Sequence, residues 1–112
     1  MSVPSVDSSQ HAYTNGMAAT RALSKSEQKA LGQYMTPPAI ARFMARRAVQ
    51  GLSSSAVRIL EPAAGSGVLA VAAVEALSEL SDFPKRIELL LFEVDRRLID
   101  GLQQVCEALR DK

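Results

Sequence analysis

Cysteine is almost missing from this chain. Cys106 stands alone, so no internal disulfide is possible and a reducing compartment is expected. With no second thiol and no histidine near it, its expected role is packing on a helix. The charge balance is nearly even. A net charge of +1 excludes strong steering of the whole chain toward nucleic acid or acidic membranes. No apolar stretch reaches the roughly 20 residues of a membrane span. The N-terminus lacks the cationic start and apolar core of a secretory signal. These absences lead us to expect a cytoplasmic protein with no membrane association. The one histidine, His11, lies in a polar N-terminal stretch and carries no argument.

What is present fits an ordinary globular chain. At 112 residues and 47% hydrophobic content it is one domain or part of one. Residues 1–22 show no sustained apolar period and are expected to form a mobile tail, with the folded portion spanning 23–112. Ser24 and Glu27 have capping-box spacing, which predicts a short helix from Lys25 to about Leu31. Thr36-Pro37 predicts a second helix, with Thr36 as N-cap and Pro37 in the first helical position. In it Ile40, Phe43, Met44 and Ala48 share one face and Arg42, Arg46 and Gln50 the other, with Gly51 as C-terminal cap.

The second half alternates strand and helix. Val57-Arg58-Ile59-Leu60 reads as a buried strand, and Val68 to Leu80 as a helix apolar on most of its surface. Asp82-Phe83-Pro84 breaks that helix. Ile87 to Val94 contains the nearly continuous run of a parallel strand covered on both faces. A final amphipathic helix runs from about Arg96 to Leu109. The expected fold is α/β: a partial Rossmann-like unit whose first two parallel strands carry flanking helices and whose sheet is incomplete, joined by a right-handed crossover. Apolar surface would then stand exposed beside Val57–Leu60.

Chemistry concentrates at the turn between the first strand and its helix, Glu61-Pro62-Ala63-Ala64-Gly65-Ser66-Gly67. Gly65, Gly67 and Ala70 match the G-x-G-x-x-G/A spacing, which serves either a tight turn alone or the approach of a cofactor to a helix N-terminus. The second strand ends near Glu93, where a carboxylate can accept both hydroxyls of a ribose. Asp95 reads as a solvated acid. Glu61 separates two cofactor classes. Its charge would repel the pyrophosphate of a dinucleotide, whereas S-adenosylmethionine offers an ammonium to the acid and a carboxylate to the helix start. Arg42, Arg46 and Arg47, and Arg96-Arg97, are either solvated helix faces or contacts for phosphate or a further domain.

Three segments resemble, in order, motifs X, I and II of the bacterial restriction–modification DNA N6-adenine methyltransferases. They are Gly32-Gln33-Tyr34-Met35-Thr36-Pro37 with Ile40-Ala41-Arg42-Phe43-Met44, then Ile59 to Gly67, then Phe92-Glu93-Val94-Asp95. The resemblance implies S-adenosylmethionine as cofactor. It places Thr36 at the methionine carboxylate, Glu61, Ala63, Gly65, Ser66 and Gly67 around the methionine end, and Glu93 at the ribose. Tyr34 would stack near the cofactor or simply pack. It also implies DNA as the parent enzyme's substrate, with base flipping to reach adenine N6. The family's catalytic Asn/Asp-Pro-Pro-aromatic loop does not occur. Thr36-Pro37-Pro38-Ala39 has the prolines without the acceptor or the aromatic. No catalytic residue is therefore assigned, and the chain alone is expected to be inactive. The readings left open are an N-terminal portion completed by a chain carrying the catalytic motif, a non-catalytic binding module, and a dinucleotide-binding fragment.

Overall fold

Residues 6–20, 24–27 and 36–110 are described by the computed structural model. The elements run α1 (Val6–Thr20), α2 (Pro38–Val49), β1 (Ala56–Glu61), α3 (Val68–Ser78), β2 (Arg86–Leu91) and α4 (Arg96–Arg110). The two strands pair in parallel, from Ala56 opposite Arg86 to Glu61 opposite Leu91. This is the α/β, partial Rossmann-like arrangement expected, with a two-stranded open sheet among the described residues.

α3 organises the core. Its Val, Ala and Leu residues are apolar on nearly every side, so it needs cover in several directions. Val68, Val71, Ala72, Val74, Ala76 and Leu77 are all buried. α2 and α1 pack on it from outside, and Val57, Ile59 and Ile87 meet it from the sheet. The strands alternate accordingly. Val57 and Ile59 point inward, while Arg58 and Leu60 are exposed on the other face. There Arg58 pairs with Glu88 at 3.6 Å, and Leu60 lies opposite Leu90, both exposed. β2 is therefore covered on one face rather than two, and it stops at Leu91, short of the expected Val94.

α2 departs from its expected phase. Pro38, Ala41, Ala45 and Val49 are its buried residues. Ile40, Phe43 and Met44 point outward, at 52%, 66% and 48% exposure. Small side chains let α2 come close to Ala72 and Ala76 in the shared core, and that close approach sets the face. Its start is also one residue later than expected. Pro37 is the cap, at φ −58° and ψ 143°, and Pro38 opens the helix. The following proline holds Pro37 in extended backbone, so Pro37 cannot be helical and Thr36 is not the cap. Gly51, just past the helix, has φ 84°, a conformation that suits glycine.

The expectation of a mobile tail is also corrected, because Val6–Thr20 form a helix. Ser9, Ala12 and Gly16 are buried in its contact with α3 and α4. Small contact residues leave no apolar period to read. The capping box does form. Ser24 Oγ accepts from Glu27 N at 3.2 Å and Glu27 Oε1 accepts from Ser24 N at 3.4 Å, with residues 25–27 helical. The rest of that predicted helix, and Gly32–Met35, lie outside the described residues.

Candidate functional site

Beyond the regular strands, β1 and β2 stay paired through the turn. Phe92 N donates to Glu61 O at 3.0 Å, and Ala64 N donates to Phe92 O at 2.8 Å. The chain after Glu61 is thereby folded back over the exit of β2. Ala63 N donates to the Glu61 carboxylate at 3.1 Å, which turns that acid onto its own loop. Gly65 N donates to Glu93 Oε1 at 2.8 Å. Asp95 N donates to the other oxygen, Glu93 Oε2, also at 2.8 Å. One half-buried carboxylate thus joins the glycine turn to the exit of β2.

The two glycines do different work. Gly65 and Gly67 have φ 57° and 95°, left-handed backbone that a Cβ would strain. Gly67 also faces α4. A Cβ there would lie 3.2 Å from Leu102 Cδ1 and 3.3 Å from Val105 Cγ1. Its bareness is explained by helix packing, with no ligand needed. Ser66 and Ala64 are buried in the same turn, and Gly67 N closes it by donating to Ala64 O at 2.9 Å. α3 then begins, and its first N–H groups have no preceding turn to accept them.

Asp95 is not the solvated acid expected from sequence. Its side chain is 7% exposed. It caps α4: Oδ1 accepts from Arg97 N at 2.9 Å, and Asp95 O accepts from Leu98 N at 3.0 Å. The Arg97 guanidinium closes on the same carboxylate, with Nη2 to Oδ2 at 2.6 Å. The signal was available in sequence, since Asp before a helix start is a favoured cap.

Glu61, Ala63, Gly65, Ser66, Gly67 and Glu93 therefore meet at one place, the carboxyl ends of two parallel strands. Thr36 stands half-buried just before α2, and none of the described hydrogen bonds joins it to the turn. Tyr34 lies outside the described residues. The basic residues divide as well. Arg46 pairs with Glu79 and Arg97 with Asp95. Cys106 is a half-buried free thiol on α4, raised in pKa by burial.

A glycine turn between a strand and its helix, latched to an acid after the neighbouring parallel strand, defines a partial Rossmann-like α/β unit. The family model described as N-6 DNA methylase matches residues 12–98, more than half of the chain. The chain belongs to that family, whose substrate is DNA. The matched stretch begins inside α1, so the family pattern includes the later part, from Ala12 on, of the helix that composition alone suggested was a tail. Comparison with curated proteins and with solved structures gave no match. Among the described residues no helix is long and apolar enough to cross a membrane.

Proposed function

We propose that this chain is the S-adenosylmethionine-binding, N-terminal portion of a site-specific DNA adenine-N6 methyltransferase of a cytoplasmic restriction–modification system. The bond between Gly65 N and Glu93 Oε1 is the observation that carries this reading. It unites the two motifs that the cofactor would bridge. Both oxygens of Glu93 are anchored by backbone donors, and each retains a lone pair for a ribose hydroxyl. Glu61 at the end of β1 suits an ammonium, and its charge disfavours a dinucleotide pyrophosphate. The start of α3, with Thr36, suits the methionine carboxylate. When bound, the cofactor supplies an electrophilic sulfonium methyl.

Transfer of that methyl requires an acceptor for the adenine amine, which this chain's sequence lacks. Alone it is inactive, and a complementing chain with the catalytic motif would restore activity. A second reading, a non-catalytic interaction module, is supported by the exposed Leu60, Leu90 and Phe92. Calorimetric titration of the folded chain with S-adenosylmethionine, with NAD as control, tests the first reading. The expected result is binding of S-adenosylmethionine alone, weakened at least tenfold in Glu93→Ala, a loss of about 1.4 kcal/mol. Failure of the folded chain to bind, or equal binding of NAD, would overturn it.

A further inference from the structure

α3 buries an acid that the cofactor reading does not use. Glu75 is 6% exposed, and its Oε1 is shut off from solvent with no hydrogen-bond partner. The charges around it come from Arg42 and Arg46 of α2 and from Glu79, the C-terminal cap of α3. Arg46 is committed to Glu79, with two bonds of 3.1 and 3.2 Å. Arg42 instead reaches across to α1, where its Nη1 donates to Ser9 Oγ in a long bond of 3.5 Å. Ser9 is completely buried, and Tyr13 is the titratable α1 residue that packs against the hydrophobic core. The strands meet the same core through the uncharged Val57, Ile59 and Ile87.

Of the two guanidinium groups whose charge acts on Glu75, Arg42 is therefore the one that also bonds a hydroxyl on another helix. We propose that Glu75 is a protonation switch for the seating of α1: as the neutral acid it leaves Arg42 on Ser9 and the helix closed, and on losing its proton it draws Arg42 away and loosens α1. The physical drive is the cost of a buried carboxylate whose oxygen lacks a donor. Burial pushes the Glu75 carboxyl up to about 7, against the opposing pull of Arg42. For an acid whose folded pKa is raised, the associated stability is complete below the ordinary carboxylate range. It is lost as pH rises through about 7. α1 contacts both α3 and α4, the helices that follow the glycine turn and the Glu93–Asp95 latch. The switch thus sits behind the candidate site, and it stands whether or not the cofactor assignment does.

Amide hydrogen exchange of the full chain tests this, with protection compared at about pH 6 and about pH 8 after correction for intrinsic rates. Protection of α1 is expected to fall about tenfold or more at the higher pH. In Glu75→Gln the α1 protection is expected to be the same at both. Unchanged protection in the wild type, or a pH response that persists in Glu75→Gln, overturns the switch. A carbon-13 titration of the Glu75 carboxyl in the unaltered protein needs no variant. A midpoint near about 7 that α1 amide shifts share supports the switch. A midpoint in the ordinary carboxylate range, or α1 shifts that do not follow it, overturns it.

Discussion

On one side of the sheet Val57, Ile59 and Ile87 pack beneath α3, while on the other Leu60 and Leu90 stand 65% and 41% exposed. The same two strands supply both sets, and the residue types hardly differ. What differs is cover. A single strand–helix–strand crossover lays its helix on one face, and a parallel sheet is stable when both are covered. α2 repeats the contrast at the scale of one helix. Ala41 and Ala45 are buried, and Ile40, Phe43 and Met44 are outside. Apolar character alone therefore does not identify the inner face here. The fit of neighbouring helices does.

Substitutions on the two sides should separate cleanly. Leu77 is fully buried at the centre of the core, and Leu77→Ala is expected to cost about 2–5 kcal/mol in denaturant unfolding. The buried acid comes next. Stability is expected to decline between about pH 5 and about pH 8 by roughly 3 kcal/mol, because the Glu75 carboxyl is raised to about 7 in the folded state. Thermal melts across that range would show the decline in the wild type and its absence in Glu75→Gln. Gly67→Ala strains a left-handed residue and presses on Leu102 and Val105; a loss of about 1–3 kcal/mol is expected. Asp95→Ala removes the cap of α4 and should cost about 1 kcal/mol by the same measurement. Leu60→Ser on the open face is expected to change stability by no more than about 0.5 kcal/mol. Its effect should instead appear as reduced self-association in light scattering. If Leu60→Ser were as damaging as Leu77→Ala, the contrast between the two faces would be wrong.

Much of the framework was legible because its signals are local. An apolar run ending in Glu61, a glycine turn and an alanine-rich helix identify β1, its turn and α3 from neighbouring residues alone. The capping box at Ser24 and Glu27 and the amphipathic α4 are local in the same sense. The candidate site was partly legible. Gly65 and Glu93 carry recognisable spacing, but their direct bond depends on how the two strands are paired. Asp95 was misread because a cap and a solvated acid look alike until the helix start is placed. α1 was missed because Ser9, Ala12 and Gly16 make its contact without an apolar stripe.

The sequence by itself determined the order of strand and helix, the glycine turn, the resemblance to adenine methyltransferases and the lack of a catalytic loop. Each is carried by residues adjacent in the chain, where backbone preference and short motifs act. Only the tertiary structure decided that α1 is a packed helix, which face of α2 is buried, and that Arg42 bonds Ser9 across to α1 while Glu75 is buried on α3. Those outcomes depend on how closely helix backbones can approach and on which charges then lose water, and neither quantity exists until distant segments meet.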